Sequence, residues 1–204
     1  GIAGPHRTRL WATDALRRDF TINALSVDSA GHVHDYAGGL ADLAVRRVRF
    51  IGEADARIAE DYLRILRFFR FSAAYGDGTL DPDGLAAVLR HVAGLNRLSR
   101  ERVRQETMKL LVAPAMLPVL RVMDTHGLLM PVLMRGADVG RLSRLVALEA
   151  AAGLPADPLR RLMALAVEGE ADIARLRDAL RLTNAEVRRI ETLLPARPDL
   201  HAHV

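Results

Sequence analysis

The sequence of 204 residues predicts a mainly α-helical protein with a small mixed α/β segment at its amino end. Three observations predict this fold class. From residue 54 onward, apolar residues recur three and four positions apart, which is the helical period. Before that point, short stretches alternate between polar and apolar residues, as half-buried strands do. Residues that cap helices stand directly ahead of several helical stretches.

The strands are predicted in the first quarter of the chain. A short helical turn is expected over residues 14–18, followed by an alternating strand over residues 21–27. Ser29-Ala30-Gly31 then supplies turn chemistry, and residues 32–35 alternate again, which predicts a β-hairpin. A further strand is predicted over residues 47–51. Because two or three short strands are marginally stable alone, we expect this unit to be the back end of a larger sheet.

The rest of the chain is predicted to be helical. A long helix over residues 57–74 has apolar side chains at helical spacing. Asp81 and Pro82 are residue types favoured at the cap and first turn of a helix, and Ser99 is a predicted cap as well. Thr183 and Glu186 form the pattern of a capping box. The other predicted helices cover residues 82–92, 100–112, 114–126, 139–152, 158–167, 171–180 and 185–194, and Pro195 and Pro198 are expected to end the ordered part.

The composition excludes several classes of protein. Half of the residues are hydrophobic and 26% are charged, so the chain is not intrinsically disordered throughout. It has no cysteine, which excludes disulfides and cysteine-ligated metal sites. No apolar run approaches the roughly 20 residues that span a bilayer, and no secretory signal is evident. We therefore expect a cytoplasmic protein with no membrane partner.

The basic residues are almost all arginine. The net charge of +4 is mild, but Lys109 is the only lysine among 29 basic residues. Arginine binds planar phosphate and base edges better than lysine does. A genome that favours arginine codons explains the same bias, so the positions of the arginines must distinguish the two explanations.

Two arginines and an aspartate directly precede the first predicted strand. Arg18 can donate to phosphate or ribose oxygens, and Asp19 can accept from a ribose hydroxyl. The alternative is a solvated helix end with a local arginine–aspartate pair, and spacing alone favours that alternative.

A basic stripe is predicted on the long helix of residues 57–74. Arg64, Arg67 and Arg70 are three positions apart, so their side chains share one helix face. Asp61 stands one step before Arg64 on the same stripe. The alternative is an exposed charged face, whose Asp61–Arg64 pair contributes only about 0.2–0.5 kcal/mol.

A carboxylate beside a guanidinium places an acceptor next to a donor, and this pattern can select nucleobases. Cytosine and adenine each present an amino group beside a ring nitrogen that accepts a hydrogen bond. Asp61 would accept from the amino group while Arg64 donates to the ring nitrogen. Uracil and guanine present the reverse pattern and would leave both protein groups unpaired, which costs about 1–3 kcal/mol for each buried group. The pair could thus accept C and A and reject U and G.

Two histidines in the predicted hairpin are a weaker candidate site. His32 and His34 lie on the same side of a strand, so they could bind a metal ion together. No third ligand is evident in the sequence, and this disfavours a metal site at the hairpin.

The motifs occur together in an order that resembles one known family. The chain is similar to the class II tRNA nucleotidyltransferases, or CCA-adding enzymes, and to the bacterial poly(A) polymerases. The resemblance covers residues 17–111, roughly half of the chain, and the combination of motifs is highly specific. The matching motifs are Arg17-Arg18-Asp19-Phe20-Thr21-x-Asn23-Ala24, Asp35-x3-Gly39-x2-Asp42-Leu43, Arg49-Phe50-Ile51-Gly52, Arg57-Ile58-x-Glu60-Asp61-x-Leu63-Arg64-x-Leu66-Arg67-x2-Arg70-Phe71 and Glu101-Arg102-x3-Glu106-x2-Lys109-Leu110.

The resemblance implies a fold and an activity. It implies part of a polymerase-β-like nucleotidyltransferase head over residues 1–52, a helical neck over residues 53–112 and a helical body over residues 113–204. Family members add CMP and AMP to the 3′ end of tRNA from CTP and ATP, with Mg²⁺ as cofactor. The partners implied for this chain are therefore a tRNA 3′ end and these two nucleotides.

The resemblance also implies roles for individual residues. In this assignment Asp61 and Arg64 read the base edge, while Arg18 and Asp19 meet the ribose and phosphates. The full set of implied nucleotide-binding residues is Arg18, Asp19, Asn23, Asp61, Arg64, Arg67 and Arg70. A structural brace of the neck would be formed by Glu60, Arg102, Glu106 and Lys109.

The sequence departs from the family at its amino end. Family heads begin with a glycine-rich segment and an Asp-x-Asp pair that holds the catalytic metal ions, and nothing before Arg17 resembles either element. We therefore expect a truncated form without catalytic carboxylates or metal ligands, whose head segment is missing or supplied by a partner chain. Two alternatives stay open, namely a poly(A) polymerase-type relative and a helical RNA-binding module without chemistry.

Overall fold

The computed structural model describes residues 5–194, with side chains described from Trp11 onward. The predicted fold class is confirmed, since this range is mainly helical with two short strands. The elements in chain order are α1 Pro5–Arg17, β1 Ser26–Val27, β2 Val33–His34, α2 Gly39–Ala44, α3 Ala54–Glu60, α4 Leu63–Ala74, α5 Pro82–Arg90, α6 Arg100–Leu111, α7 Met116–Thr125, α8 Leu129–Leu133, α9 Val139–Ala151, α10 Pro158–Ala166, α11 Glu170–Leu180 and α12 Asn184–Leu193.

The amino-terminal segment has less strand and more helix than the sequence predicts. The hairpin is confirmed: β1 pairs antiparallel with β2, and Ser26 lies opposite His34. The strand predicted to begin at Thr21 is wrong, because Thr21–Asn23 forms a 3₁₀ turn. The Asn23 side chain accepts a hydrogen bond from the Phe20 N–H at 3.2 Å. This local bond competes with strand pairing and favours the turn.

The strand predicted over residues 47–51 is also wrong. Its described ladder contact is an isolated bridge between Phe20 and Phe50. The rings of these two residues are 4.9 Å apart, and both side chains are buried. Burial of Phe50 against α4, rather than pairing in a sheet, therefore accounts for its hydrophobic pattern, since its ring stacks 5.4 Å from that of Phe68.

The long helix predicted over residues 57–74 is two helices with a break between them. Asp61 has extended backbone angles, with φ −156° and ψ 107°, and it ends α3. Its Oδ1 then accepts the backbone N–H of Leu63 at 3.1 Å. This N–H belongs to the first turn of α4, where the helix itself supplies no acceptor. The helical period continues across the break, and for this reason the sequence pattern does not reveal it.

Several helix starts follow the sequence signals. Asp81 accepts the Gly84 N–H at 3.0 Å ahead of α5, and Thr183 and Glu186 form the predicted capping box of α12. Ser99 precedes α6 but makes no side-chain cap bond, so its predicted capping role is wrong. The predicted helices from residue 100 onward are observed with ends displaced by up to two residues. Pro195 and Pro198 lie outside the described residues.

One hydrophobic core connects the amino-terminal segment to the later helices. It extends from Phe20 to Ile190 and includes the buried face of α4. Helix α4 packs mainly against α6 and α7, and the rings of its Phe68 and Phe71 lie close to the ring of Phe20. It therefore lies between the amino-terminal segment and the helical remainder. No helix among residues 5–194 is long and apolar enough to cross a membrane. The fold therefore places the polar side of α4 between the amino-terminal segment and α6.

Candidate functional site

The three arginines of α4 are largely covered rather than solvated. The side chains of Arg64, Arg67 and Arg70 are 12%, 28% and 14% exposed. Each guanidinium meets carboxylates from neighbouring elements. The exposed charged face considered as the alternative is therefore wrong, because surface arginines of a solvated helix would not be covered to this extent.

Asp19 receives two of these arginines. The Arg67 Nε donates to Asp19 Oδ2, and the Arg64 Nε lies 3.7 Å from Asp19 Oδ1. The Asp19 side chain is only 14% exposed. Arg18, next to it in sequence, instead pairs with Asp14 of α1 at 2.9 Å and stays half exposed. Arg18 and Asp19 thus have different partners, Asp14 of α1 for Arg18 and arginines of α4 for Asp19. Asp19 therefore connects the segment after α1 to α4.

Glu106 of α6 is the second carboxylate that faces the arginines. Its side chain is 5% exposed and accepts from Arg70 Nε at 2.5 Å. Arg67 and Lys109 lie 3.9 Å and 3.7 Å from its Oε1. The Arg70 guanidinium also lies over the ring of Phe71, at 4.2 Å from its centroid. A buried carboxylate needs such compensation, so this cluster ties α4 to α6.

Glu60 and Arg57 connect the end of α3 to the other elements. Arg57 Nη1 donates to Glu60 at 2.7 Å, and its Nη2 donates to the carbonyl oxygen of Arg17 at 2.6 Å. Arg64 Nη1 donates to the Arg57 carbonyl at 2.6 Å and to Glu60 at 2.5 Å. The Arg64 bond is the largest cause that lowers the pKa of Glu60. Sequence reasoning missed Arg57 as a site residue, although it stands in the motif three positions before Glu60.

Asp61 and Arg64 do not form the contact that the sequence predicts. Their predicted position on one helix is wrong, since Asp61 lies in the break before α4. Asp61 Oδ2 accepts from Arg102 Nη2 at 2.6 Å, and the ion pairs among the described residues include none between Asp61 and Arg64. Burial raises the pKa of Asp61, but the hydrogen bonds from Arg102 and the Leu63 N–H outweigh it and leave the pKa lowered. Asp61 therefore stays an ionised acceptor.

A second network that sequence reasoning missed supports the segment around Asp19. Thr21 Oγ1 donates to Asp42 Oδ2 at 2.6 Å, and Arg49 Nε donates to the same oxygen at 3.0 Å. Asp35 accepts backbone N–H groups at the start of α2, including that of Gly39 at 2.9 Å. The motif spacing from Asp35 to Arg49 is the signal that could have identified this network. It fixes the backbone that carries Asp19.

The two hairpin histidines share a carboxylate. His32 Nδ1 and His34 Nε2 lie 3.1 Å and 3.2 Å from Asp28 Oδ2. Hydrogen bonds, with the His32 backbone N–H first, hold the pKa of Asp28 well below its ordinary value. Among the described residues, no group of three or more histidine, aspartate or glutamate side chains could hold a metal ion.

Two models of known sequence families match segments of this chain that contain site residues. Residues 4–49 match the model of the poly(A) polymerase head domain. Residues 79–137 match a model described as the probable RNA- and SrmB-binding site of polymerase A. The first match contains Asp19, and the second contains Arg102 and Glu106. The arginine and carboxylate cluster thus includes residues from both matched segments.

Individual relatives point to the same family. The human mitochondrial CCA tRNA nucleotidyltransferase 1 is 46% identical over 104 residues, which are 50% of this chain and 24% of the human protein. The Bacillus stearothermophilus CCA-adding enzyme in complex with CTP superposes with a TM-score of 0.65 and 28% identity, over 89% of this chain and 46% of that one. The fold also matches the Thermotoga maritima CCA-adding enzyme complexed with tRNA, with a TM-score of 0.68, 22% identity and coverage of 89% and 47%. The chain spans about a quarter of the length of the human relative and about half of each solved structure.

Proposed function

Because this chain belongs to the tRNA nucleotidyltransferase and poly(A) polymerase family, we propose that it is the nucleotide-selecting part of an enzyme that adds C and A to tRNA 3′ ends. The observation that carries the proposal is the arrangement at the start of α4. There an ionised acceptor, Asp61 in the helix break, and a guanidinium donor, Arg64 in the first turn of α4, are three positions apart in the sequence. Relatives whose names state this activity support the assignment.

Base selection follows from the hydrogen-bonding pattern of this pair. Asp61 accepts from the amino group of cytosine or adenine, and Arg64 donates to the neighbouring ring nitrogen. The hydrogen bonds of Arg64 to other described residues use Nη1, and a guanidinium has five N–H donors. We assign Nη2 as the donor to the base. Uracil and guanine would place a carbonyl against the Asp61 carboxylate and are rejected.

The other site residues have supporting roles in this proposal. Arg18 is half exposed and donates to the phosphates of the incoming nucleotide, while Asp19 accepts from its ribose. Arg67 extends the basic row from Asp19 toward Glu106. Asn23 acts through the backbone, because its side chain accepts the Phe20 N–H. Arg70 acts through Glu106, because its described hydrogen bond goes to that carboxylate. These two are positioning residues rather than direct ligands.

The brace residues connect the three helices around the site, α3, α4 and α6. Glu60 joins α3 to α4 through Arg64, and Arg102 joins α6 to the break through Asp61. Glu106 joins α6 to α4, with Lys109 nearby on its own helix. We assign no step of phosphoryl transfer to the described residues. A cytoplasmic location stays a prediction, since the human relative is named a mitochondrial protein.

A second candidate function is RNA binding without nucleotide selection. The match of residues 79–137 to a probable RNA-binding segment favours it. In that case the arginines would contact phosphates and would not distinguish bases. Poly(A) addition is a third outcome, in which ATP alone is preferred.

Equilibrium binding of CTP, ATP, UTP and GTP to this chain, with and without Mg²⁺, tests the proposal. We expect CTP and ATP to bind more tightly than UTP and GTP, and we expect the preference to persist without the metal ion. Preference for ATP alone would favour a poly(A) polymerase. Equal binding of all four nucleotides, or binding of none, would contradict nucleotide selection. Either result would favour the second candidate function, RNA binding without nucleotide selection.

A further inference from the structure

Arg102 of α6 makes the tightest described contact with Asp61. Its Nη2 donates to Asp61 Oδ2 at 2.6 Å, across a separation of 41 residues in the sequence. The Leu63 N–H holds the other oxygen, Oδ1, at 3.1 Å. Two donors from different elements therefore fix the orientation of one carboxylate. The Asp61 side chain stays 35% exposed, so a ligand can still approach it.

The number of lone pairs permits a further partner. An ionised carboxylate has about four lone-pair sites and accepts only. Arg102 and the Leu63 N–H use two of them in the described contacts. A neutral carboxyl group would differ, because its O–H could donate to the carbonyl oxygen of uracil or guanine. The ionisation state of Asp61 thus decides which base pattern it accepts.

The charges around Asp61 keep it ionised. Burial raises the pKa of Asp61, and the Arg102 hydrogen bond is the largest effect that opposes burial. Arg64 of α4 acts in the same direction through its charge. Without Arg102 the effect of burial would be opposed mainly by the Leu63 N–H. The carboxyl group would then protonate at a higher pH than in the unaltered chain.

We propose that Arg102 is a positioning residue that sets base selectivity, by holding the Asp61 carboxylate as an oriented acceptor for the amino group of cytosine or adenine. The inference rests on the proposed function, in which Asp61 reads the base. It assigns Arg102 more than a bracing role, since a brace would affect stability and the binding of all nucleotides equally. Arg102 instead changes the ratio between bases.

Matched variants test this role. Arg102→Met removes the donor, Arg102→Lys keeps a cation, and Asp61→Ala removes the acceptor itself. Arg90→Met is the control, because Arg90 of α5 also binds an aspartate of α3, Asp55, at 2.6 Å. The dissociation constants of CTP and UTP are measured for each variant at several pH values between the ordinary carboxyl range and neutrality. Thermal unfolding of each variant separates a lost preference from a lost fold.

We expect Arg102→Met to lower the preference for CTP over UTP by about tenfold, the size of effect expected when one hydrogen bond to a charged group is lost. The pH at which the remaining preference disappears should also rise. Arg102→Lys should restore part of the preference, and Arg90→Met should retain all of it. If Arg102→Met does not fold, the ratio of the CTP and UTP dissociation constants is measured for Arg102→Gln instead, and the same fall in preference is expected.

The outcomes distinguish this inference from the function on which it rests. An unchanged CTP preference in Arg102→Met, together with its loss in Asp61→Ala, would overturn the role of Arg102 and leave the proposed function intact. An unaltered chain that shows no CTP preference, or binds no nucleotide, would overturn both. A preference that falls equally in Arg90→Met would also overturn the inference, because any broken ion pair would then have the same effect.

Discussion

Arg70 donates a hydrogen bond of 2.5 Å from Nε to Glu106 Oε2, and this bond joins α4 to α6 at a carboxylate that is only 5% exposed. A buried charge that loses its partner destabilises a fold far more than an exposed one does. The other two cations near Glu106 are more distant, at 3.7 Å and 3.9 Å. Arg70 is therefore the principal partner of Glu106.

Arg70→Ala should lower the free energy of unfolding by about 3 kcal/mol, because it leaves Glu106 buried with weaker compensation. Urea denaturation measures this difference. Arg18→Ala is the control, since Arg18 forms an exposed ion pair with Asp14 and its loss should cost less than about 1 kcal/mol. Equal losses in the two variants would contradict the importance of burial at Glu106.

The same variant makes a prediction about nucleotides. Arg70→Ala should weaken CTP, ATP, UTP and GTP to a similar extent, because Arg70 supports α4 without a described contact to Asp61 or Arg64. Asp61→Ala should instead weaken CTP and ATP selectively, since it removes the acceptor for their amino groups. Titration of each nucleotide into each variant measures both patterns. Equal losses across all four nucleotides in both variants would remove Asp61 from base reading.

Gly39 is required by a close approach of two backbone segments. A Cβ atom at this position would lie 2.2 Å from the carbonyl oxygen of Thr21, well inside van der Waals contact. Gly39→Ala should therefore displace the segment that carries Asp19 and lower the free energy of unfolding by about 2 kcal/mol. Gly136→Ala is the matched control, because an added Cβ there meets no atom within 4 Å. Denaturation curves of the two variants should differ clearly, and coincident curves would disprove the clash.

The capping box of α12 predicts a contrast between two hydroxyl side chains. Thr183 Oγ1 accepts the Glu186 N–H at 3.2 Å, and the Thr183 backbone N–H donates to the Glu186 carboxylate at 2.7 Å. Thr183→Ala should lower the free energy of unfolding by about 1 kcal/mol. Ser99→Ala should change it little, because Ser99 makes no side-chain cap bond ahead of α6. Thermal unfolding of both variants checks the contrast, and a larger loss at Ser99 would refute it.

The helices of the second half, apart from α8, could be predicted because their physical causes are local. Caps such as Thr183 and the apolar period are visible within a few residues of sequence, and the observed ends differ little from the predicted ones. The strand predicted over residues 47–51 failed for a non-local reason. Phe50 is buried against the Phe68 ring of α4, and a period-two pattern does not distinguish this burial from a sheet.

In the candidate site, too, features with local causes could be predicted from the sequence and features with non-local causes could not. The sequence identified the residue types around α4, since the motif contains Asp19, Arg64 and Arg67. It did not identify the break at Asp61, because the apolar period continues through it and the bond that holds Asp61 comes from Arg102, 41 residues away. It placed Asn23 in a strand for a related reason, since the side-chain bond to Phe20 is not visible in an alternating pattern. Long-range and side-chain hydrogen bonds thus determine the helix break at Asp61 and the turn at Asn23, which the periodicity of the sequence does not show.

Asp172 links stability to pH in the carboxyl-terminal half. Burial raises its pKa, but the Glu168 N–H, Arg135 and the Gly169 N–H outweigh burial and lower the pKa of Asp172 to about 2. Because this value lies below that of an unfolded aspartate, the ionised form favours the folded state. The contribution is about 2 kcal/mol, fully present above the unfolded value and lost as the pH falls through the folded one.

Asp172→Asn should therefore lower the free energy of unfolding most at neutral pH, because asparagine accepts the N–H bonds but cannot pair with Arg135. The difference between the unaltered chain and the variant should decrease as the pH falls from about 5 toward about 2. Urea denaturation over this range measures the difference directly. A difference that does not change with pH would mean that Asp172 stabilises the turn before α11 through its shape and neutral hydrogen bonds, and that its charge contributes nothing.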